Sequence, residues 1–346
     1  MPEHVVYLLG AGFSAPLGLP VMANFVSKSK DQFSAAPDTF SHFEKVFELF
    51  EKLAKVKSFY RSDLSNIEEV LSILAIGDFR EGVDKTRFIK YLADVVTYYT
   101  PKLVEYPGLL PSNWRQFAFG NNRAHNDYGN FILGLARRSL SYGGSAGQFS
   151  TSPSDGSVPT YAVVTLNYDS VIENLHNYCK RLALAVPLKL NTPSKLVPTT
   201  GDTEYHINLA KLHGSGHDAS IVPPTWSKGS DRLPAAAWQA ALQELARANH
   251  IRIFGYSLPG SDLNVRFLLK AAALDSFHLK TIDVVCLDPD GSVKSRYDSF
   301  IDHNGYLFKS ASVADCFNGI TARADQTPRG NLALFLEQSH HSFMGR

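Results

Sequence analysis

Near its start the chain carries the stretch Val5-Val6-Tyr7-Leu8-Leu9-Gly10-Ala11-Gly12-Phe13-Ser14, followed by Gly18-Leu19-Pro20. An apolar strand that runs into a glycine-rich turn and a helix start is typical of dinucleotide-binding α/β domains. Glycine tolerates dihedral angles that other residues avoid, and a turn without Cβ atoms lets backbone N–H groups approach a pyrophosphate. The N-terminus of the following helix would add its partial positive charge. The stretch therefore predicts a dinucleotide-binding site at the end of the first strand.

The spacing of this motif leaves a second interpretation open. It has the form Gly-Ala-Gly-x-Ser-x-x-x-Gly and not the Gly-x-Gly-x-x-Gly of ordinary dehydrogenases. A dehydrogenase also carries an acidic residue about 20 positions later, at the end of its second strand. Asp31 falls near that distance, but its segment Ser27-Lys28-Ser29-Lys30-Asp31 is polar and lacks the pattern of a strand. The alternative is a tight strand-to-helix turn that binds no ligand.

Length and charge restrict the classes of protein that fit. The chain has 346 residues, of which 44% are hydrophobic and 19% charged, so it is globular and long enough for one large or two unequal domains. A net charge of +1 argues against an electrostatic nucleic-acid binder. The first strand begins near residue 5, and no apolar run reaches the roughly 18 residues of a membrane span. We therefore expect a cytoplasmic protein that binds neither nucleic acid nor membrane.

The cysteines carry information about metals and compartment. Cys179, Cys286 and Cys316 lie far apart and form no Cys-x-x-Cys pair. A structural zinc site of the usual spacing is therefore not expected, and an odd number of cysteines without a framework fits a reducing cytosol.

The order of strand and helix patterns predicts the architecture. Residues 1–20 and 159–320 alternate strands with helices, which predicts a Rossmann-like parallel sheet with helices on both faces. After the first strand, the predicted strands are Tyr161–Leu166, Leu209–His213, Ile251–Phe254 and Ile282–Leu287. Residues 21–158 are predicted as a large helical insertion with a flexible Gly/Ser-rich loop at 141–158. Residues 321–346 are predicted as a polar C-terminal tail, in which His340 and His341 would be solvated.

Polar residues follow four of these strands where each one ends. They are Asn167 and Asp169, then His213, then Ser257, then Asp288. Ligands of such sheets bind beyond the carboxyl ends of the strands, so we expect these side chains at one site. Helix capping would explain either Asn167 or Asp169, but not both. His213 is either a hydrogen-bonded core histidine or a general base that accepts a proton at neutral pH.

Several of these motifs occur in the order seen in the sirtuin superfamily, which the sequence resembles. They are Gly10-Ala11-Gly12-Phe13-Ser14…Gly18-Leu19-Pro20, Thr165-x-Asn167-x-Asp169, Leu212-His213-Gly214 and Gly255-x-Ser257-Leu258. The resemblance is closer to the bacterial sirtuin-like proteins of antiphage defence. It rests there on two runs, Ile221-Val222-Pro223-Pro224-Thr225-Trp226-Ser227-Lys228 and Gly255-Tyr256-Ser257-Leu258-Pro259-Gly260-Ser261-Asp262.

The resemblance implies that the substrate is NAD and assigns two catalytic residues. Asn167 would orient the nicotinamide ribose and an attacking water. His213 would act as the base on a ribose hydroxyl or on the nucleophile. Both roles are carried over from the family by position.

The same resemblance assigns the residues that bind NAD. Its pyrophosphate would lie on the first turn, formed by Gly10, Ala11, Gly12, Phe13 and Ser14. Asp169 would hydrogen-bond the nicotinamide carboxamide. Gly255 and Ser257 are implied as phosphate or ribose contacts, and Asp288 as an adenosine-ribose contact.

Departures from the family pattern favour one of the sirtuin superfamily's activities over the others. Deacylases of the family carry glutamine at the position of Leu166, Phe-Arg where this chain has Val21-Met22-Ala23, and a four-cysteine zinc module that three cysteines cannot build. The hypothesis is therefore an NAD glycohydrolase without zinc that releases nicotinamide and ADP-ribose and depletes NAD during phage infection. The alternatives are an NAD or ADP-ribose sensor or effector subunit without turnover, and, less favoured, an ADP-ribosyltransferase or deacylase. By analogy we expect a homo-oligomer and an activating protein partner or phage trigger.

Overall fold

The computed structural model describes residues 2–60, 66–77, 83–102, 123–142, 149–154, 158–182, 189–191, 206–216, 221, 235–326 and 329–346. The strands are β1 (His4–Leu9), β2 (Arg138–Tyr142), β3 (Phe149–Pro153), β4 (Thr160–Thr165), β5 (Lys189–Asn191), β6 (His206–Lys211), β7 (His250–Phe254), β8 (Thr281–Val285), β9 (Tyr306–Lys309) and β10 (Arg329–Asn331). The α-helices are α1 (Ala11–Ser14), α2 (Phe25–Ala35), α3 (Phe43–Ala54), α4 (Ile67–Gly77), α5 (Val83–Tyr99), α6 (Arg123–Leu135), α7 (Val171–Leu182), α8 (Ala235–Ala246), α9 (Leu263–Ala273), α10 (Ser292–Asp298), α11 (Val313–Gln326) and α12 (Leu332–Met344).

The main sheet has seven parallel strands in the order β5-β6-β4-β1-β7-β8-β9. Strand β1 lies in the centre, where His4 is paired with Thr160 of β4 and Val5 with His250 of β7. The chain completes the β4 side before it crosses to β7, so the strand order reverses at β1. Such a reversal point is where open α/β sheets bind ligands. The predicted Rossmann-like parallel sheet is confirmed.

The sheet is covered on both faces, as its apolar strands require. Val5, Tyr7 and Leu9 of β1 are fully buried against one face, which carries α6, α7, α11 and α12. Val6 and Leu8 point the opposite way into a second core formed with α8, α9 and α10. The alternation of side chains along one strand thus divides the core into two layers.

The four predicted strands after β1 are present as β4, β6, β7 and β8, with shifted ends. The two edge strands, β5 and β9, were not predicted. Strand β5 has only three residues and β9 only four, so both are shorter than the usual strand of about five or six residues. The periodicity of a sequence reports burial, and edge strands are buried least.

The Gly/Ser-rich stretch predicted as a loop at 141–158 contains part of a second sheet. Strand β2 pairs antiparallel with both β3 and β10, so residues 138–142, 149–153 and 329–331 form a three-stranded sheet. The loop prediction was wrong for residues 141–142 and 149–153, because serine and threonine in short strands resemble loop composition. The partner strand β10 is also far away in sequence.

The C-terminal segment predicted as a polar tail is packed into the core. Helix α12 buries Leu332, Ala333 and Leu336, and its His340 is 1% exposed. The Nε2 atom of His340 lies 2.8 Å from a carboxylate oxygen of Asp283 in β8. Burial lowers the pKa of His340 to about 4, so the ring is neutral near pH 7. The expectation of solvated histidines is therefore wrong for His340, because its polar atom has a buried partner on the sheet.

A buried ion pair fixes α12 to the centre of the sheet. The Arg252 guanidinium of β7 is 1% exposed and makes two hydrogen bonds, of 2.9 and 2.6 Å, to the Glu337 carboxylate of α12. Tyr161 donates a further hydrogen bond of 2.8 Å to Glu337, and Arg252 donates one of 2.7 Å to the Tyr7 hydroxyl. Burial raises the pKa of the Glu337 carboxyl, but Arg252, Tyr161 and His340 together outweigh this effect and hold that pKa below its ordinary value.

We expect Glu337→Ala to lower the free energy of unfolding by about 3–5 kcal/mol, because it leaves the buried Arg252 charge without its partner. Urea unfolding followed by circular dichroism measures this loss. The matched control is Glu48→Ala, which removes the partner of Lys45 in an exposed pair and should cause no measurable change. Equal stability of the two variants would contradict this assignment of Arg252 and Glu337.

The predicted helical block divides into two parts. Helices α2, α3, α4 and α5 form a cluster of their own with Phe25, Phe43 and Tyr91 at its centre. Helix α6 instead packs on the main sheet through Tyr128 and Phe131. Periodicity predicts that a helix has an apolar face but not what that face contacts, so the sequence did not separate these parts. None of the described helices is both long and apolar enough to cross a membrane.

Candidate functional site

A cavity of about 640 Å³ opens at the carboxyl edge of the main sheet. Its walls are formed by the turns that follow β1, β4, β7, β8 and β9, together with residues of the helical cluster. The volume is within the range of small-molecule and cofactor sites, about 300–1,000 Å³. The carboxylates that line it belong to Asp169 and Asp262, and the described lining contains no lysine or arginine.

Three glycines allow the turns after β1 and β7 to pack backbone against backbone. A Cβ on Gly10 would lie 2.7 Å from the Gly255 carbonyl oxygen, and one on Gly12 would lie 2.8 Å from the Gly255 Cα. A Cβ on Gly255 would lie 2.1 Å from the Phe13 nitrogen. Gly12 donates a hydrogen bond of 2.9 Å to the Gly255 carbonyl, which fixes this contact. Steric exclusion between two turns thus explains the glycines.

The dihedral angles of the first turn do not require glycine at Gly10, contrary to the expectation from sequence. Gly10 has φ −109° and ψ −177°, an extended conformation open to any residue. Gly12 lies inside the helix α1. Only Gly255 of the three has a positive φ, +66°. The first turn is glycine-rich because another chain segment lies against it, and not because its dihedral angles demand glycine.

The backbone donors of the first turn are largely engaged. Gly10, Gly12 and Phe13 donate their N–H groups to Phe254, Gly255 and Gly10 respectively. Helix α1 has four residues and continues as a 3-10 turn at Ala15–Leu17, so its macrodipole is small. Fewer backbone N–H groups of this turn are therefore available to a phosphate than the motif suggested. Its exposed member is Ala11, which lines the cavity.

Asn167 connects the turn after β4 to the turn after β1. Its side-chain amide donates hydrogen bonds of 3.0 Å to the Gly10 carbonyl and 3.3 Å to the Ser14 hydroxyl. The side chain is buried, yet the residue lines the cavity. It does not cap a helix, so capping does not account for this asparagine.

Asp169 does cap a helix. Its Oδ1 accepts a hydrogen bond of 3.1 Å from the Val171 N–H at the start of α7. Burial raises the pKa of the Asp169 carboxyl, while Lys211 and the Ser14 hydroxyl oppose that rise. Lys211 donates to the Asp169 backbone carbonyl and, at 2.8 Å, to Glu173. As expected from sequence, capping explains one of Asn167 and Asp169 but not both.

His213 lies at the bend after β6, just before Gly214, whose φ is +76°. The imidazole is 1% exposed and lies between two aromatic rings, with centroid distances of 6.1 Å to Tyr168 and 6.5 Å to Trp238. Burial lowers the pKa of His213, opposed by the Asp262 carboxylate and the backbone of Leu166. The lining of the cavity includes Leu166 and Tyr168, which are neighbours of the ring, but not His213 itself.

The remaining sequence-predicted residues divide between the cavity and other locations. Ser257 lines the cavity, while the Phe13 ring is buried against Tyr128 at a centroid distance of 5.0 Å. Asp288 caps α10, because its two carboxylate oxygens accept hydrogen bonds of 3.0 and 2.9 Å from the Val293 and Lys294 N–H groups. Neither Phe13 nor Asp288 belongs to the described lining, so their predicted contacts with NAD stay predictions.

Sequence reasoning missed several residues of the cavity. The helical cluster contributes an apolar wall through Met22, Phe25, Ile67 and Val96. No signal in the sequence connects these helices to the sheet edge, because the contact is long-range. Tyr168 could have been predicted from the sequence, since it lies between Asn167 and Asp169. Most of the run from Ile221 to Lys228 lies outside the described residues.

In the part of the chain that the structure describes, no cluster of three or more His, Cys, Asp or Glu side chains has an arrangement that could hold a metal ion.

Comparison with solved structures finds Sir2 proteins. A Sir2 homologue in complex with NAD is 15% identical, with 94% of this chain and 91% of that chain covered and a TM-score of 0.38. A Sir2 structure with a p53 peptide and NAD+ is 12% identical, with 94% and 95% covered and a TM-score of 0.40. No family model and no curated protein matches the sequence. At these TM-scores the fold class rests on the strand order of the sheet itself.

Proposed function

We propose that this protein is an NAD glycohydrolase that cleaves NAD to nicotinamide and ADP-ribose. The observation that supports the proposal is that Asn167 and Asp169 line the cavity, while the buried His213 lies next to Tyr168, which also lines it. This is the set of groups that the resemblance to sirtuins implies. They follow two neighbouring strands, β4 and β6, of a sheet whose strand order reverses at the adjacent β1.

The proposed reaction breaks the bond between the nicotinamide nitrogen and C1′ of its ribose. Nicotinamide leaves as a neutral molecule, a water oxygen bonds to C1′, and the proton released from that water passes to His213. This transfer requires Tyr168, which lies next to the ring and lines the cavity, to move so that the imidazole comes within reach of the water. Asn167 would orient the ribose and the water, and Asp169 would hold the carboxamide of the leaving group. Positioning and a base are sufficient for this hydrolysis, so no zinc is needed.

The wider role in this proposal is depletion of NAD during phage infection. It is supported by the resemblance of two sequence runs to bacterial defence proteins. An enzyme of this kind would be toxic if it were always active. The proposal therefore includes a cytoplasmic location, a homo-oligomer and an activating protein partner or phage trigger.

The test is release of nicotinamide from NAD by the purified protein, followed by chromatography. We expect Asn167→Ala to lower the rate by at least about 100-fold, since it removes the group that orients ribose and water. Asn177→Ala is the matched control, because Asn177 is exposed on α7 and should retain the wild-type rate. An Asn167→Ala enzyme as fast as the Asn177→Ala enzyme would contradict the assigned role.

A second candidate function is an NAD or ADP-ribose sensor without turnover. The apolar wall favours it, because Phe25, Ile67 and Val96 join the cavity to the core of the helical cluster. A ligand in the cavity would therefore contact the helices that a partner could recognise. Calorimetry that shows NAD binding, together with no nicotinamide release with or without partners, would favour the sensor. A mass increase on a protein acceptor would instead favour ADP-ribosyl transfer.

A further inference from the structure

Lys211 is a largely buried cation at the end of β6 that the roles assigned above do not use. Its side chain is 12% exposed, and a lysine is rarely buried to this degree unless it is paired. Strand β6 lies next to β4, where Lys211 is paired with Thr165, the last residue of that strand. From this position its ammonium group reaches the turn that carries Asn167 and Asp169.

The two hydrogen-bond acceptors of Lys211 lie at the start of α7. The ammonium group donates one hydrogen bond to the backbone carbonyl of Asp169 and another, of 2.8 Å, to the Glu173 carboxylate. Asp169 caps α7, and Glu173 lies in the first turn of that helix. Lys211 therefore joins β6 to the point at which the turn after β4 becomes a helix.

The backbone that follows Lys211 holds the same turn at two more carbonyls. The N–H of Leu212 donates a hydrogen bond of 2.9 Å to the Thr165 carbonyl, and the N–H of Gly216 donates one of 2.8 Å to the Tyr168 carbonyl. These two bonds are made by backbone groups, so they do not depend on the identity of a side chain. The hydrogen bond made by the lysine itself requires a long side chain that donates.

The charges around Asp169 single out Lys211. The groups that face the carboxyl are Lys211 from β6, Glu173 from α7, and the hydroxyls of Ser14 from α1 and Tyr128 from α6. The described lining of the cavity contains no lysine or arginine, so this cation acts from outside the cavity. Burial raises the pKa of Asp169, and Lys211 is the strongest of the effects that oppose the rise, because an ammonium group favours the ionised carboxyl.

We propose that Lys211 is a positioning residue for Asp169, which holds the turn by its backbone carbonyl and supplies the positive charge that keeps its carboxylate ionised in the cavity. The inference rests on the proposed NAD cleavage, in which Asp169 holds the nicotinamide carboxamide. An ionised carboxylate accepts hydrogen bonds and donates none, so it would accept one from the carboxamide N–H. Lys211 acts through Asp169 and does not touch the substrate.

The first test measures the binding of nicotinamide against pH, by NMR of the nicotinamide ring signals, in Lys211→Met and Glu173→Gln. Both variants break the same ion pair, but they remove charges of opposite sign from beside Asp169. We expect Lys211→Met to bind nicotinamide about 10-fold more weakly at neutral pH and to lose binding at a higher pH than the wild type, because the pKa of Asp169 rises further.

Glu173→Gln is the matched control, and its shift should have the opposite sign. Loss of the Glu173 charge lowers the pKa of Asp169, so binding should persist to a lower pH than in the wild type. If the ion pair only stabilised the fold, the two variants would lose binding alike and neither would change its pH dependence. That result would overturn the proposal.

The second test is turnover of NAD. We expect KM of Lys211→Met to rise about 10-fold with a smaller change in kcat, because Asp169 contacts the carboxamide of the bound substrate in the proposed reaction. If the wild type binds nicotinamide but releases none from NAD, the proposed function fails, while the binding titration still decides whether Lys211 acts on Asp169.

Two further variants cover a failure of Lys211→Met to fold. Lys211→Arg retains the charge and the reach of the side chain, so it should keep the pH dependence of the wild type. Lys211→Gln retains a donor without the charge, so it should lose binding at a higher pH. An unchanged pH dependence in folded Lys211→Gln, or a wild type that does not bind nicotinamide, would overturn the proposal.

Discussion

Replacing His213 with alanine is expected to lower the rate of nicotinamide release by about 10²–10⁴, the usual contribution of a general base. The imidazole is buried against Tyr168, and burial lowers its pKa, so the neutral form dominates at pH 7. His213→Gln, which approximates the volume of the ring, should lose as much activity as His213→Ala. Chromatography of the reaction mixture measures both variants.

The matched control for this prediction is His278→Ala, since the His278 side chain is exposed after α9 and should not affect the rate. Thermal unfolding of all three variants separates a loss of chemistry from a loss of folded protein. For the wild type, the lowered pKa of His213 predicts an acidic limb below pH 6.5, because the base stays unprotonated to lower pH. A His213→Gln enzyme that is folded and fully active would exclude His213 as the base.

The parts of this site that the sequence predicted share one property. Asn167, Asp169 and His213 directly follow apolar strands, and the carboxyl ends of parallel strands meet at one edge of a sheet. Recognising the strands was therefore enough to predict that these residues lie at the same edge of the sheet. Capping preferences also predicted that only one of Asn167 and Asp169 caps a helix. In the structure Asp169 caps α7, and Asn167 connects two turns.

The parts that the sequence did not predict depend on contacts between distant segments. The apolar wall formed by Phe25 and Val96 requires the helical cluster to lie over the sheet edge, which no local pattern specifies. The burial of His340 depends on Asp283, 57 positions away. Asp262 is the N-cap of α9. Its place on the cavity wall follows only from the packing of the turn after β7 against the turn after β1.

That packing leads to the second large effect, a severe loss of stability in Gly255→Ala. The new Cβ would lie 2.1 Å from the Phe13 nitrogen and 2.3 Å from the Gly12 carbonyl carbon. Both neighbours are backbone atoms, so no side chain can move aside to relieve the overlap. Gly255 also has φ +66°, which costs a residue with a Cβ about 1–2 kcal/mol. We expect a total loss above about 4 kcal/mol in the free energy of unfolding, measured with urea.

Gly291→Ala is a control that separates the two causes. Gly291 has a similar φ of +77°, but a Cβ there would meet no heavy atom within 4 Å. Its substitution should therefore lower the free energy of unfolding only by the conformational cost, about 1–2 kcal/mol. The difference between the two variants measures the steric contact between the turns after β1 and β7. If Gly255→Ala were no less stable than Gly291→Ala, the turns would have room to separate. The glycines at this contact would then be explained by ligand binding and not by the packing of the two turns.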